Sequence, residues 1–125
     1  MKKQDEISPC NQFHDEAMQL ADQAFDKEKK GNHAEAKKLF LQAYENERSS
    51  AMILVNQFEE EPSRSVLFRS AAWLAFHAGR YREAERMAAF GLSGNPPGLI
   101  EKELREVLEQ TLAKLKAASP LTELA

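Results

Sequence analysis

Residues 64–79 read RSVLFRSAAWLAFHAG, and no other stretch of the chain constrains its fold as much. Val66, Leu67, Phe68, Ala71, Ala72, Trp73, Leu74, Ala75 and Phe76 cover nearly the whole circumference of a helix, where a surface helix would show one apolar stripe. Such a helix must be enclosed on several sides. A chain of 125 residues is of single-domain size and can bury a core around it.

The rest of the sequence supplies helices to do the enclosing. From about 12 to 30, Phe13, Ala17, Leu20, Ala21, Ala24 and Phe25 recur at spacings of three and four, the pattern of an amphipathic helix, and Gly31 is a suitable stop. Asn32 and Glu35 have the spacing of a capping box opening the next helix. That helix keeps one stripe through Ala36, Leu39, Phe40, Ala43, Tyr44, Ala51, Leu54, Val55 and Phe58, so it is expected to run as far as EEEPS. At NERSS, residues 46–50, polarity wraps the helix, and the pattern leaves open a continuous helix, a bend or a break there. Pro62 and Ser63 predict a boundary, with Ser63 capping the third helix. Gly79 ends that helix, a fourth runs over 81–93, and a fifth opens at Asn95-Pro96-Pro97. Its stripe is Ile100, Leu104, Val107, Leu108, Thr111, Leu112 and Leu115. No strand signal appears, so the expected class is all-α with about five helices. The polar residues 1–11 are expected to be a flexible arm, residues 12–118 one helical domain, and residues 119–125 a flexible tail.

Charge and composition narrow the function. The net charge of −3 is uneven: residues 1–61 carry 8 basic and 13 acidic side chains, residues 62–94 carry 5 and 2. All the basic residues of that middle segment are arginine: Arg64, Arg69, Arg80, Arg82 and Arg86. The excess falls short of what a nucleic-acid binder shows, and surface pairing with residues such as Glu83 and Glu85 accounts for such arginines. No apolar run is long enough to span a membrane, and the N-terminus lacks the apolar stretch of a secretory signal. A lone cysteine, Cys10, fits a reducing compartment, so a cytoplasmic location is expected. His14, His33 and His77 have no further His or Cys at metal-ligand spacing. There is no phosphate-binding glycine loop and no nucleophile elbow. No catalytic residue, metal or cofactor is therefore assigned, and the expectation is a protein that is not an enzyme.

The helices also repeat. GNHAEAKKLFLQA (31–43) laid over GRYREAERMAAFG (79–91) aligns both glycines, the EA pairs, and Ala43 with Gly91. Leu20, Ala24, Ala36, Phe40 and Ala43 in the first unit, and Phe68, Ala71, Ala72, Ala84 and Pro96 in the second, make the chain resemble the tetratricopeptide family of helix–turn–helix repeats. The departures are Gln23, Lys27 and Arg48 in the first unit and Ala75 and Ala88 in the second. Gly31 and Gly79 lie 48 positions apart, against about 34 in the family. An overlong second helix is expected to absorb the difference, and the fifth helix to close the exposed end.

The resemblance implies two antiparallel hairpins and a concave groove that holds a peptide or partner protein. Arg69, Trp73 and His77 are spaced by four and share one stripe. In the family they would occupy groove-lining positions, with Phe25 and Lys29 as their counterparts in the first hairpin. Arginine there would grip a carboxylate and tryptophan would anchor the ligand; the alternatives are a core position for Trp73 and pairing with an acidic neighbour for Arg69. Two other functions remain beside this one: a homodimer paired through the fifth or the second helix with no external ligand, and nucleic-acid binding through the arginine segment.

Overall fold

The structure, a computed structural model, describes the backbone of residues 2–118 and the side chains of residues 9–118. It is all-α: α1 (Lys2–Lys29), α2 (His33–Ile53), α3 (Ser63–His77), α4 (Tyr81–Leu92) and α5 (Gly98–Ala118), with no strand among the described residues. Short connections fold α1 back on α2 and α3 back on α4. Then α2 packs on α3, while α5 lies against both α4 and α3. The apolar α3 is thus enclosed by three helices, as its composition requires, and Leu67, Phe68, Ala71, Ala72, Leu74 and Ala75 are all buried. The expected tail 119–125 lies outside the described residues.

Both hairpins turn in the same way. Gly31 and Gly79 have φ of 81° and 77°, a left-handed conformation that costs glycine nothing. Asn32 N–H donates to the Lys27 carbonyl at 2.9 Å and Gly31 N–H to Glu28 at 3.1 Å; Arg80 N–H donates to Ala75 at 2.8 Å and Gly79 N–H to Phe76 at 3.0 Å. This is the Schellman pattern, written twice. The equivalent pairs Ala24 and Ala72, Ala36 and Ala84, Phe40 and Ala88, and Ala43 and Gly91 are buried in both units. Apart from Phe40, the residues at these positions are small and let neighbouring helices approach closely.

Four local expectations need correction. Residues 2–11 are helical instead of forming a loose arm: Pro9 sits inside α1 without ending it. Cys10 secures this turn, for it is buried, its thiol lies 3.1 Å from Ser50 Oγ, and that hydroxyl donates to the Cys10 carbonyl at 2.8 Å. The second correction is to α2, which passes unbroken through 46–50 and ends at Ile53, short of Phe58. Glu47 and Ser50 face the interior there and find polar partners, so polarity in NERSS does not interrupt the helix. The 48 positions between Gly31 and Gly79 hold a 21-residue α2, against 12 residues in α4, and turns over 54–62 before α3.

The other two corrections concern caps. Asn32 makes no side-chain capping bond, and Glu35 pairs instead with Lys27 at 3.3 Å. Ser63 lies within the first turn of α3, which is capped by Glu61: its Oε1 accepts from Ser65 N–H at 3.0 Å and Ser65 Oγ at 2.7 Å.

Candidate functional site

A groove of about 290 Å³ separates α1 from α3. Met18, Ala21, Asp22 and Phe25 line one side, and Arg69, Ser70, Trp73, Leu74 and His77 the other. Four of the five residues singled out from the sequence meet here: Phe25, Arg69, Trp73 and His77. Lys29, the fifth, is exposed one turn beyond Phe25 and is not part of the lining.

The aromatic residues form a continuous surface. The His77 ring lies 5.5 Å from Phe25 across the groove, 5.0 Å from Phe40 in a stacked arrangement, and 6.2 Å from Trp73, also stacked. Phe76 adds an edge contact to Trp73 at 5.6 Å. Phe25 is 44% exposed, and His77 is exposed as well, although the surrounding rings desolvate its imidazole and hold its pKa below the ordinary 6.5. Trp73 is half-buried: it lines the groove and also packs against the core, so the two positions weighed for it are one.

Arg69 does not stand free to grip a carboxylate. Its Nη1 donates to Glu103 Oε2 of α5 at 2.6 Å, with both side chains largely covered. The contact ties α5 to α3. Nor do the arginines of the middle segment form one basic face. Arg82 pairs with Glu85 at 2.6 Å, and Arg64 is buried, which is no ordinary surface pairing. Its Nε and Nη2 donate to the Val55 carbonyl at 3.1 and 3.0 Å, and its guanidinium lies over the rings of Phe58 and Phe68 at 4.7 and 5.1 Å. A Cβ on Gly94 would collide with Arg64 Nη1, so the glycine makes room for it.

One buried polar cluster was not visible in the sequence. Glu47 of α2 is fully buried; His14 Nδ1 lies 2.9 Å from its Oε1, and the Ser70 hydroxyl is close enough to favour its charged form. Loss of solvent pushes its carboxyl above the ordinary value, against the opposing pull of Ser70 and His14. The three residues join α1, α2 and α3 directly beneath the groove, where Ser70 also forms part of the lining. Only the spacing of Glu47 within the apolar stripe of α2, three after Tyr44 and four before Ala51, hinted at burial.

Two further depressions lie elsewhere on the molecule. One of about 340 Å³, lined by Tyr44, Glu45, Arg48, Arg80 and Glu83, holds charges of both signs that offset one another, and its Tyr44 phenol is pushed up to about 12 by burial and by Glu83. The other, of about 250 Å³, lies beside Cys10, His14 and Leu67. Among the described residues no group of three His, Cys, Asp or Glu side chains could hold a metal ion, and no helix is long and apolar enough to cross a membrane. Comparison with known proteins adds nothing to this geometry: no family model, curated protein or solved structure matches the chain.

Proposed function

We propose that the protein is a non-enzymatic interaction module of tetratricopeptide type, which holds a peptide or a segment of a partner protein in the groove between α1 and α3. The observation that carries this reading is the aromatic surface of Phe25, Trp73 and His77, drawn from two helices and open to solvent in part. Rings held by their neighbours lose little conformational entropy on binding, and such residues dominate interaction hot spots. The homodimer reading has less to work with. The stripe of α5 through Ile100, Leu104, Val107 and Thr111 is already buried inside the molecule. Leu99 and Leu112, exposed on the same helix, lie about 140° apart around it at roughly 100° per residue and form no single face.

Affinity capture with the tagged chain tests the proposal, comparing the wild type with a Phe25→Ala/His77→Ala double variant. Both side chains are exposed, so the variant is expected to keep its fold and its cooperative thermal transition. Partner recovery should fall several-fold. Undiminished recovery with the variant would remove the groove as the binding face.

A further inference from the structure

The charges around the groove indicate what kind of segment it takes. Asp22 lines the groove three residues before Phe25, is exposed, and has no hydrogen-bond or ion-pair partner among the described residues. The cation in the lining, Arg69, is already neutralised by Glu103 at 2.6 Å. His77 is held below its ordinary pKa by the rings around it and so presents a neutral aromatic surface at neutral pH. The free charge in the groove is therefore negative, and it stands beside three ring systems.

Aromatic faces carry the negative end of a quadrupole, so a cation seated over them is attracted and an anion repelled. A carboxylate beside the rings adds to the same preference. Long basic side chains also bring an apolar stem, for which Met18 and Leu74 provide surface. An acidic segment would meet ring faces and Asp22, with Lys29 lying outside the lining and Arg69 paired. We infer that the groove takes a basic segment, seating a lysine or arginine side chain against Phe25, Trp73 and His77 with its charge at Asp22. This inference rests on the groove being the binding face, and it reverses the carboxylate preference that Arg69 implied in the sequence.

Trp73 is the single tryptophan of the chain, so its fluorescence reports on the groove directly. The probes are two N-acetylated, C-amidated octapeptides, one alternating alanine with lysine and one alternating alanine with glutamate, titrated at physiological ionic strength. The lysine peptide should change the emission saturably and the glutamate peptide should not. Asp22→Lys and Phe25→Ala should each weaken the lysine peptide by roughly twofold to fivefold or more, the size of an exposed ion pair or a single cation–π contact. Equal or tighter binding of the glutamate peptide, lysine-peptide binding untouched by both substitutions, or no response to either peptide would each overturn the inference. The capture experiment separates this failure from that of the groove itself. Partner recovery lost in the Phe25→Ala/His77→Ala chain, without a lysine preference, overturns the basic occupant alone; recovery retained overturns both.

Discussion

At the scale of single residues, Glu47 shows how a helical sequence hides its least ordinary member. The carboxylate is removed from water entirely, with His14 and Ser70 as partners. Burial disfavours the charged form more than these partners favour it, so the folded chain holds the Glu47 proton more tightly than the unfolded chain does. Linkage then sets the sign. The stabilising effect is fully present below the unfolded value near 4.5 and is lost as pH rises through the higher folded value. Glu47→Gln removes this titration while keeping an acceptor for Ser70. Urea unfolding midpoints should show the wild type losing ground against the Gln variant as pH rises from 4 to 8. A gap that does not change with pH would show that burial leaves this carboxyl unperturbed. The sequence could not reveal the cluster. Reading HDE within α1 finds no partner for His14, since the partner is 33 residues away on another helix.

At the scale of elements, helix contacts depend on the small residues aligned by the repeat. Gly91 of α4 is the tightest case. A Cβ there would stand 2.7 and 3.0 Å from the Leu104 methyls of α5 and 3.1 Å from Phe68 Cβ of α3. Alanine is the better helix former by about 1 kcal/mol, which alone would predict a gain for Gly91→Ala. Leu104 is fully buried, however, and its methyls would have to shift within the core to admit the new atom. Overpacking of this kind costs about 1–3 kcal/mol, enough to offset the gain, and the net result should be a melting midpoint lower by a few degrees. A raised midpoint would mean that α4 and α5 can separate cheaply. The periodicities revealed these helices and their order, and glycine revealed both hairpin turns. Caps were less legible, since Glu61 lies before Pro62 and reaches forward to Ser65, while the expected Asn32 cap makes no such bond. Several donors near a helix start can satisfy the same free N–H groups, and the path of the loop selects among them.

At the scale of the molecule, α5 is what completes the enclosure of α3. Its buried residues Ile100, Leu104, Val107 and Thr111 lie on the face turned toward α4 and α3, and the Arg69–Glu103 pair fastens that face. A chain ending after Gly98 would expose Phe68 and Gly91, which pack around Leu104, together with their surroundings. An apolar patch of that kind favours association over a stable monomer. The 1–98 fragment should therefore aggregate or unfold without a cooperative transition, as seen by light scattering and circular dichroism. A soluble, cooperatively folding monomer would show that the two hairpins suffice without α5.

What the sequence determined by itself was the set of helices, the enclosure of α3 and the repeated hairpin turns. Each follows from local periodicity or from a backbone conformation that glycine adopts at no steric cost. It also determined that Arg69, Trp73 and His77 share a stripe, because a spacing of four does so on any helix. Only the tertiary structure decided what that stripe faces. Packing of α2 against α3 joins the two hairpins and draws α1 beside α3, so that Asp22 and Phe25 join the stripe in one groove. Packing of α5 brings Glu103 to Arg69 and leaves Asp22 as the free charge there. Such pairings lie beyond the reach of spacing rules. They depend on which helices come within a few ångströms, and that is settled by the summed burial of many side chains.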